Sequence, residues 1–166
     1  MRFIICGYGG HGKGELCKTL GSYFGLHHNS SSFIAKEQVY SNSKLLQSKY
    51  HNAGDAHKKR RSDRSEWYKQ IQAINADDKT TLARLLFTTG GCTVYDGMRC
   101  REELRATLRE FSPVITIWVY NPTVKIEERT SCTIRAADCD LVIMNSGTLP
   151  ELQRKVIKVF SEFKGL

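Results

Sequence analysis

The segment that most constrains this chain is Gly7-Tyr8-Gly9-Gly10-His11-Gly12-Lys13. It follows a short apolar run, Arg2-Phe-Ile-Ile-Cys6, and opens onto Lys13 to Phe24, where Leu16, Cys17, Leu20 and Phe24 recur at helical spacing. A buried strand, a glycine turn and a helix in that order fit the pattern G-x-x-x-x-G-K. Glycines let backbone N–H groups turn inward around an anion, and the new helix adds its positive end. A strand buried on both faces needs covering layers, so a parallel sheet between helices is expected. The overlapping spacing Gly7-x-Gly9-x-x-Gly12 would suit a dinucleotide. Lys13 favours the phosphate loop instead, because Glu37, the nearest candidate for a ribose, falls in a predicted helix.

The expected ligand is ATP or a similar nucleoside triphosphate, held by Gly7, Gly9, Gly10, His11, Gly12, Lys13, Gly14 and Glu15. Lys13 would meet the β- and γ-phosphates, with Mg2+ bridging the same oxygens. The hydroxyl residue that ordinarily follows the lysine is replaced by Gly14. The metal must then be held by Glu15, another carboxylate or water, or mainly by the phosphates.

Strand and helix patterns alternate along the rest of the chain. Predicted strands are Leu26 to Asn29, Cys92 to Tyr95, Val114 to Tyr120 and Asp140 to Met144. Predicted helices are Ala56 to Asn75, Lys79 to Phe87, Glu102 to Phe111 and Leu149 to Phe163, with polar Tyr40 to Asp55 mostly loop. This predicts an α/β three-layer fold with a parallel sheet covered by helices on both faces. One domain, 1–166, is expected.

The net charge of +8 favours an anionic partner larger than a triphosphate, and the densest basic stretch is Lys58-Lys59-Arg60-Arg61-Ser62-Asp63-Arg64. Arg60, Arg61, Arg64 and Trp67 suit a nucleic-acid backbone with a stacked base, while a solvated helix face anchored by Trp67 is the plainer alternative. Six cysteines without a CxxC pair argue against a zinc ribbon. With no signal or membrane-spanning segment visible, no membrane partner is expected, and a reducing cytoplasm is the expected home.

Asp96-Gly97-Met98-Arg99 follows a strand and resembles the Asp-Gly-x-Pro-Arg segment of nucleoside monophosphate kinases, with the proline absent. The resemblance implies that Arg99 grips phosphate and that Asp96 holds metal or orients the attacking hydroxyl. It also implies a five-stranded parallel sheet in the order 2-3-1-4-5, a helical acceptor-binding insertion over about 30–89, and a short arginine-bearing lid over about 122–137 with Arg129 and Arg135 as candidates. Ser30-Ser31-Ser32-Phe33 occupies the place where an acceptor would enter. The succession of phosphate loop, Ser-Ser-Ser-Phe, Arg60-Arg61-x-x-Arg64-x-Glu66-Trp67-Tyr68, Asp96-Gly-Met-Arg99-x-x-x-Glu103-Leu104 and Asp140-Leu-Val-Ile-Met-Asn-x-Gly-Thr-Leu149 resembles a bacteriophage group of P-loop kinases. That group includes deoxynucleoside monophosphate kinases and 5-hydroxymethyluracil DNA kinases. The implied partners are DNA containing 5-hydroxymethyluracil, met in the cytoplasm of an infected cell, or alternatively a free dNMP. Gly14-Glu15 and Lys59 depart from the group, which carries Asp-Thr and an acidic residue there.

Overall fold

The computed structural model describes residues 1–89, 91–126 and 132–163. Five parallel strands form one sheet: β1 (Arg2–Cys6), β2 (His28–Ser30), β3 (Val94–Asp96), β4 (Val114–Tyr120) and β5 (Leu141–Met144). Their order is β2-β3-β1-β4-β5, as expected, so the first strand lies at the centre. Register pairs Ile5 with both Asp96 and Ile117, which brings the C-terminal ends of β1, β3 and β4 to one edge. Ligands of open parallel sheets bind at that edge.

Alternation along β1 splits the core into two layers. Phe3 and Ile5 pack with α1 (Lys13–Phe24) through Leu16 and Leu20, and with the closing helix Leu149–Phe163 through Val156 and Phe160. Ile4 and Cys6 face the other way, onto Leu86, Tyr95, Leu104 and Trp118. Burying such side chains on both faces is worth roughly 1.5–3 kcal/mol each. It is why the central strand reads as an uninterrupted apolar run.

The helical insertion departs from expectation in two places. Tyr40 to Asp55 is not loop: three short helices, α3 (Lys36–Asn42), α4 (Lys44–Lys49) and α5 (Ala53–Lys58), follow the four-residue α2 (Ser31–Ile34). The polar residues that suggested a loop are helix caps. Ser43 Oγ accepts the Leu46 N–H at 3.2 Å, and Asn52 Oδ1 accepts the Asp55 N–H at 2.9 Å. Sparse apolar residues, Val39, Leu46 and Ala56, are fully buried with Trp67 and Leu82 in a small core of their own.

Nor is Ala56 to Asn75 one helix. It breaks between α5 and α6 (Arg64–Ile74), because Asp63 turns inward to hold the Lys49 ammonium and the Tyr50 hydroxyl, the latter at 2.6 Å. Arg60 and Arg61 therefore lie on a turn ahead of α6, and only Arg64 lies on it.

The remaining differences are at element ends. Asp78 accepts from the Thr80 N–H at 2.8 Å in the turn ahead of α7 (Thr81–Arg84), which runs on as a π-turn over Leu85–Thr89. Helix α8 spans Arg101–Phe111 and α9 Leu149–Phe163. The second and third strands start two residues later than predicted, at His28 and Val94. Asp140 stands just outside β5, where its carboxylate accepts from the Thr116 N–H and hydroxyl. Among the described residues no helix is long and apolar enough to cross a membrane.

Candidate active site

The glycine loop leaves β1 and enters α1 through residues of positive φ, 81° at Gly10 and 101° at Gly12, a region a side chain rarely adopts. Two neighbouring strand ends clamp it. The Asn121 N–H donates to His11 Nδ1 at 2.9 Å, so the proton of the neutral ring lies on Nε2. Asn145, just past β5, donates its side-chain N–H to the His11 carbonyl at 3.2 Å while its own N–H meets the Tyr120 carbonyl. His11 is fully buried, and burial first, then the Lys13 charge, lowers its pKa. Its imidazole thus serves the loop's conformation and does not line the cleft; what position 11 could offer a phosphate is backbone.

Lys13 Nζ donates to the Gly7 and Tyr8 carbonyls at 2.9 and 2.8 Å. Burial lowers its pKa, and the nearby carboxylate of Asp96 opposes that effect. Asp96 ends β3 beside it. Burial raises the Asp96 pKa against the pull of Lys13, His28, Arg99 and Arg60. Its Oδ1 is buried with no hydrogen-bond partner among the described residues. Leaving a carboxylate oxygen unsatisfied costs about 1–3 kcal/mol or more.

A cleft of about 380 Å³ joins these groups. Gly9, Gly10, Gly12, Lys13, Gly14 and Glu15 line one side. Ser30, Ser31, Ser32, Arg60, Arg61, Arg64, Trp67, Asp96 and Arg99 line the other. Most sequence candidates therefore meet in one place. Arg64 reaches across so far that any side chain on Gly9 would run into its guanidinium. Burial, and then the charges of Arg99, Arg61 and Arg60, lower the Arg64 pKa, the signature of cations crowded around a space for an anion.

Other candidates fall outside the cleft lining. Phe33 is exposed on its outer side, with the Lys36 ammonium 3.9 Å from the ring centroid. The Arg135 guanidinium folds onto the Cys132 and Ile134 carbonyls. Arg129 lies outside the described residues, as do 127–131 of the lid region. Trp67 is 4% exposed, so it serves both as cleft wall and as anchor of the insertion core. Tyr68, Gln72, Tyr95, Cys100 and Glu103 also line the cleft. Tyr68 and Glu103 stand in the motifs that carry the resemblance, which implies no role for them, and the i, i+4 spacing from Tyr68 could have pointed to Gln72.

The loop fits a triphosphate: N–H groups at a helix start, a buried lysine and facing arginines. The metal fits less well. Glu15 pairs with Lys18 at 2.7 Å, and no cluster of three or more His, Cys, Asp or Glu side chains suited to a metal occurs among the described residues. A side chain at Gly14 would meet open space, so the missing hydroxyl is a chemical absence and not a steric exclusion. Among the described residues, Asp96, Glu15 and Glu103 are the carboxylates that line the cleft.

No protein-family model matches the chain, and no curated protein matches its sequence. Among solved structures it is similar to shikimate kinase from Aquifex aeolicus, at 12% identity and TM-score 0.48 over 99% of this chain and 98% of that one. It is similar to a sugar kinase from Janibacter, at 13% identity and TM-score 0.49 over 96% and 94%. It is also similar to dephospho-CoA kinase from Campylobacter jejuni, at 13% identity and TM-score 0.48 over 99% and 98%. Likeness this distant carries no argument about substrate or chemistry.

Proposed function

We propose that this chain is an ATP-dependent phosphotransferase with an alcohol acceptor, the hydroxymethyl group of 5-hydroxymethyluracil in DNA, a step in phage thymine hypermodification. The supporting observation is Asp96: a half-buried carboxylate whose buried Oδ1 has no hydrogen-bond partner among the described residues, at the end of the strand next to β1 and close to the phosphate-loop lysine. Bound ATP would supply the phosphoryl group, and Mg2+ would neutralise its oxygens.

The residues then divide the work. The loop N–H groups and Lys13 hold the donor phosphates in line with the acceptor. Asp96 takes the proton of the acceptor hydroxyl as the hydroxyl oxygen bonds to the γ-phosphorus and the bond to the departing ADP breaks. Burial raises the basicity of Asp96, which suits it to that transfer. Arg99 and Arg60, close enough to act on Asp96, stabilise the charge developing on the transferred group. Arg61 and Arg64, with the net charge of +8, suit a phosphodiester backbone. Reaching a base in duplex DNA would require its extrusion into the cleft.

A free deoxynucleoside monophosphate is the second reading, favoured by the modest cleft volume of about 380 Å³. One assay separates the two. Incubation with γ-labelled ATP and both acceptors is expected to place label in 5-hydroxymethyluracil DNA. Label confined to free nucleotides overturns the DNA reading, and turnover indifferent to either acceptor reduces the chain to a nucleotide-binding module.

A further inference from the structure

Where α6 and α8 line the cleft they contribute Tyr68, Gln72 and Glu103, with the almost fully buried Trp67 and Tyr95 also in the lining. Phosphoryl transfer itself needs none of them. Gln72 Nε2 donates to the Tyr68 hydroxyl at 2.9 Å, one turn apart on α6. That bond uses an oxygen lone pair and leaves the Tyr68 proton and the Gln72 carbonyl for a ligand. Glu103 comes from the first turn of α8 and is 4% exposed. Asn75 orients it: Asn75 Oδ1 accepts the Leu82 N–H at 3.1 Å, which turns the amide NH2 toward Glu103, its hydrogen-bond partner. A carboxyl fixed through one bond keeps acceptor capacity on its remaining lone pairs. A donor and two acceptors in one stretch of the lining, beside the half-buried Tyr68 ring, match the polar edge of a planar heterocycle.

We propose that this stretch of the cleft lining reads the hydrogen-bonding edge of a nucleobase, with Tyr68 donating and Gln72 and Glu103 accepting. The inference rests on the acceptor being a 5-substituted uracil, whose ring carbonyl would meet Tyr68 and whose ring N–H would meet Gln72 or Glu103. The base edge is thereby held away from Asp96, and the 5-substituent is left to point toward it.

The test is binding alone, without ATP. Calorimetry compares thymidine monophosphate with the monophosphate of its 2,4-difluorotoluene isostere, which keeps the shape and lacks the hydrogen-bonding edge. The wild-type chain is expected to prefer thymidine by about 10²-fold, a site of paired buried polar groups rejecting an unpaired partner. Gln72→Leu should lower that preference about tenfold, as should Tyr68→Phe, which removes one oxygen and keeps the ring should the first substitution disturb α6. Equal affinity for the two ligands, no binding of either at millimolar concentration, or a preference untouched by both substitutions overturns the proposal. Discrimination without phosphate transfer would leave the subsite standing and remove the kinase reading. Transfer to 5-hydroxymethyluracil DNA with equal binding of the two ligands would do the reverse.

Discussion

The two sides of the cleft are built in different ways. The donor side is one continuous stretch, β1 to α1, with its strand at the centre of the sheet and its loop tied to the ends of β4 and β5. The acceptor side comes from four separated pieces: the turn after β2, the turn and helix around Arg60 to Gln72, the end of β3, and the start of α8. The donor side depends on local backbone geometry supported by the main core. The acceptor side depends on a second, smaller core that must form before its arginines and aromatic residues converge. A site so divided can hold one half nearly constant while the other changes with its ligand.

The largest effects should come from the residues where the two sides meet. Asp96→Asn is expected to lower phosphate transfer about 10³-fold while preserving affinity for a non-hydrolysable ATP analogue, measured by single-turnover kinetics and calorimetry. Lys13→Ala should lower transfer by 10²- to 10³-fold and weaken that affinity as well. Unchanged transfer in Lys13→Ala would end the kinase reading.

Next comes the small core. Leu46→Ala should destabilise the insertion by about 2–5 kcal/mol. Hydrogen exchange should quicken over 31–74 and stay unchanged in β1 and α1. Equal loosening of both would mean that the two cores unfold as one.

Glu103 offers a pH handle on the acceptor side. Burial raises its carboxyl from the ordinary 4.5 to about 6. Between those values the folded chain retains a proton that the unfolded chain has released. Stability therefore falls as pH rises through that window and stays lower above it, by about 2 kcal/mol. Glu103→Gln should remove that slope and stabilise the chain at pH 8, read from urea melts across pH; a slope that persists would assign the titration elsewhere. The smallest expected effect is that of Arg61→Ala on DNA binding. It should reduce the slope of log affinity against log salt by about 0.9, one phosphate contact. An unchanged slope would place Arg61 off the DNA path.

The limits of β1, α1 and β4 were legible in the sequence, because an apolar run, a glycine turn and a 3.6-residue period are local signals, whereas the sheet order was expected only through the kinase resemblance. The insertion was not. Its helices are four to eleven residues long, and each buries only a few side chains, so no period accumulates. Asp63 shows the problem most clearly. As a residue of a basic stretch it looks like one more solvated charge. Buried against Lys49 and Tyr50, it ends one segment and starts α6, and so decides where Arg60 and Arg64 stand.

By itself, then, the sequence determined an α/β sheet with a phosphate loop at its centre, since glycine spacing and a lysine at a helix start need no distant partner. It also named most of the residues that surround the cleft. Tertiary structure alone decided that Asp96 keeps a buried oxygen without a partner among the described residues, that the His11 ring turns inward, and that Tyr68, Gln72 and Glu103 join the cleft lining. Each of these depends on burial and on contacts between segments far apart in the chain. Gly14, plain in the sequence as a missing hydroxyl, shows its surroundings only in the fold, where a side chain at that position would meet open space.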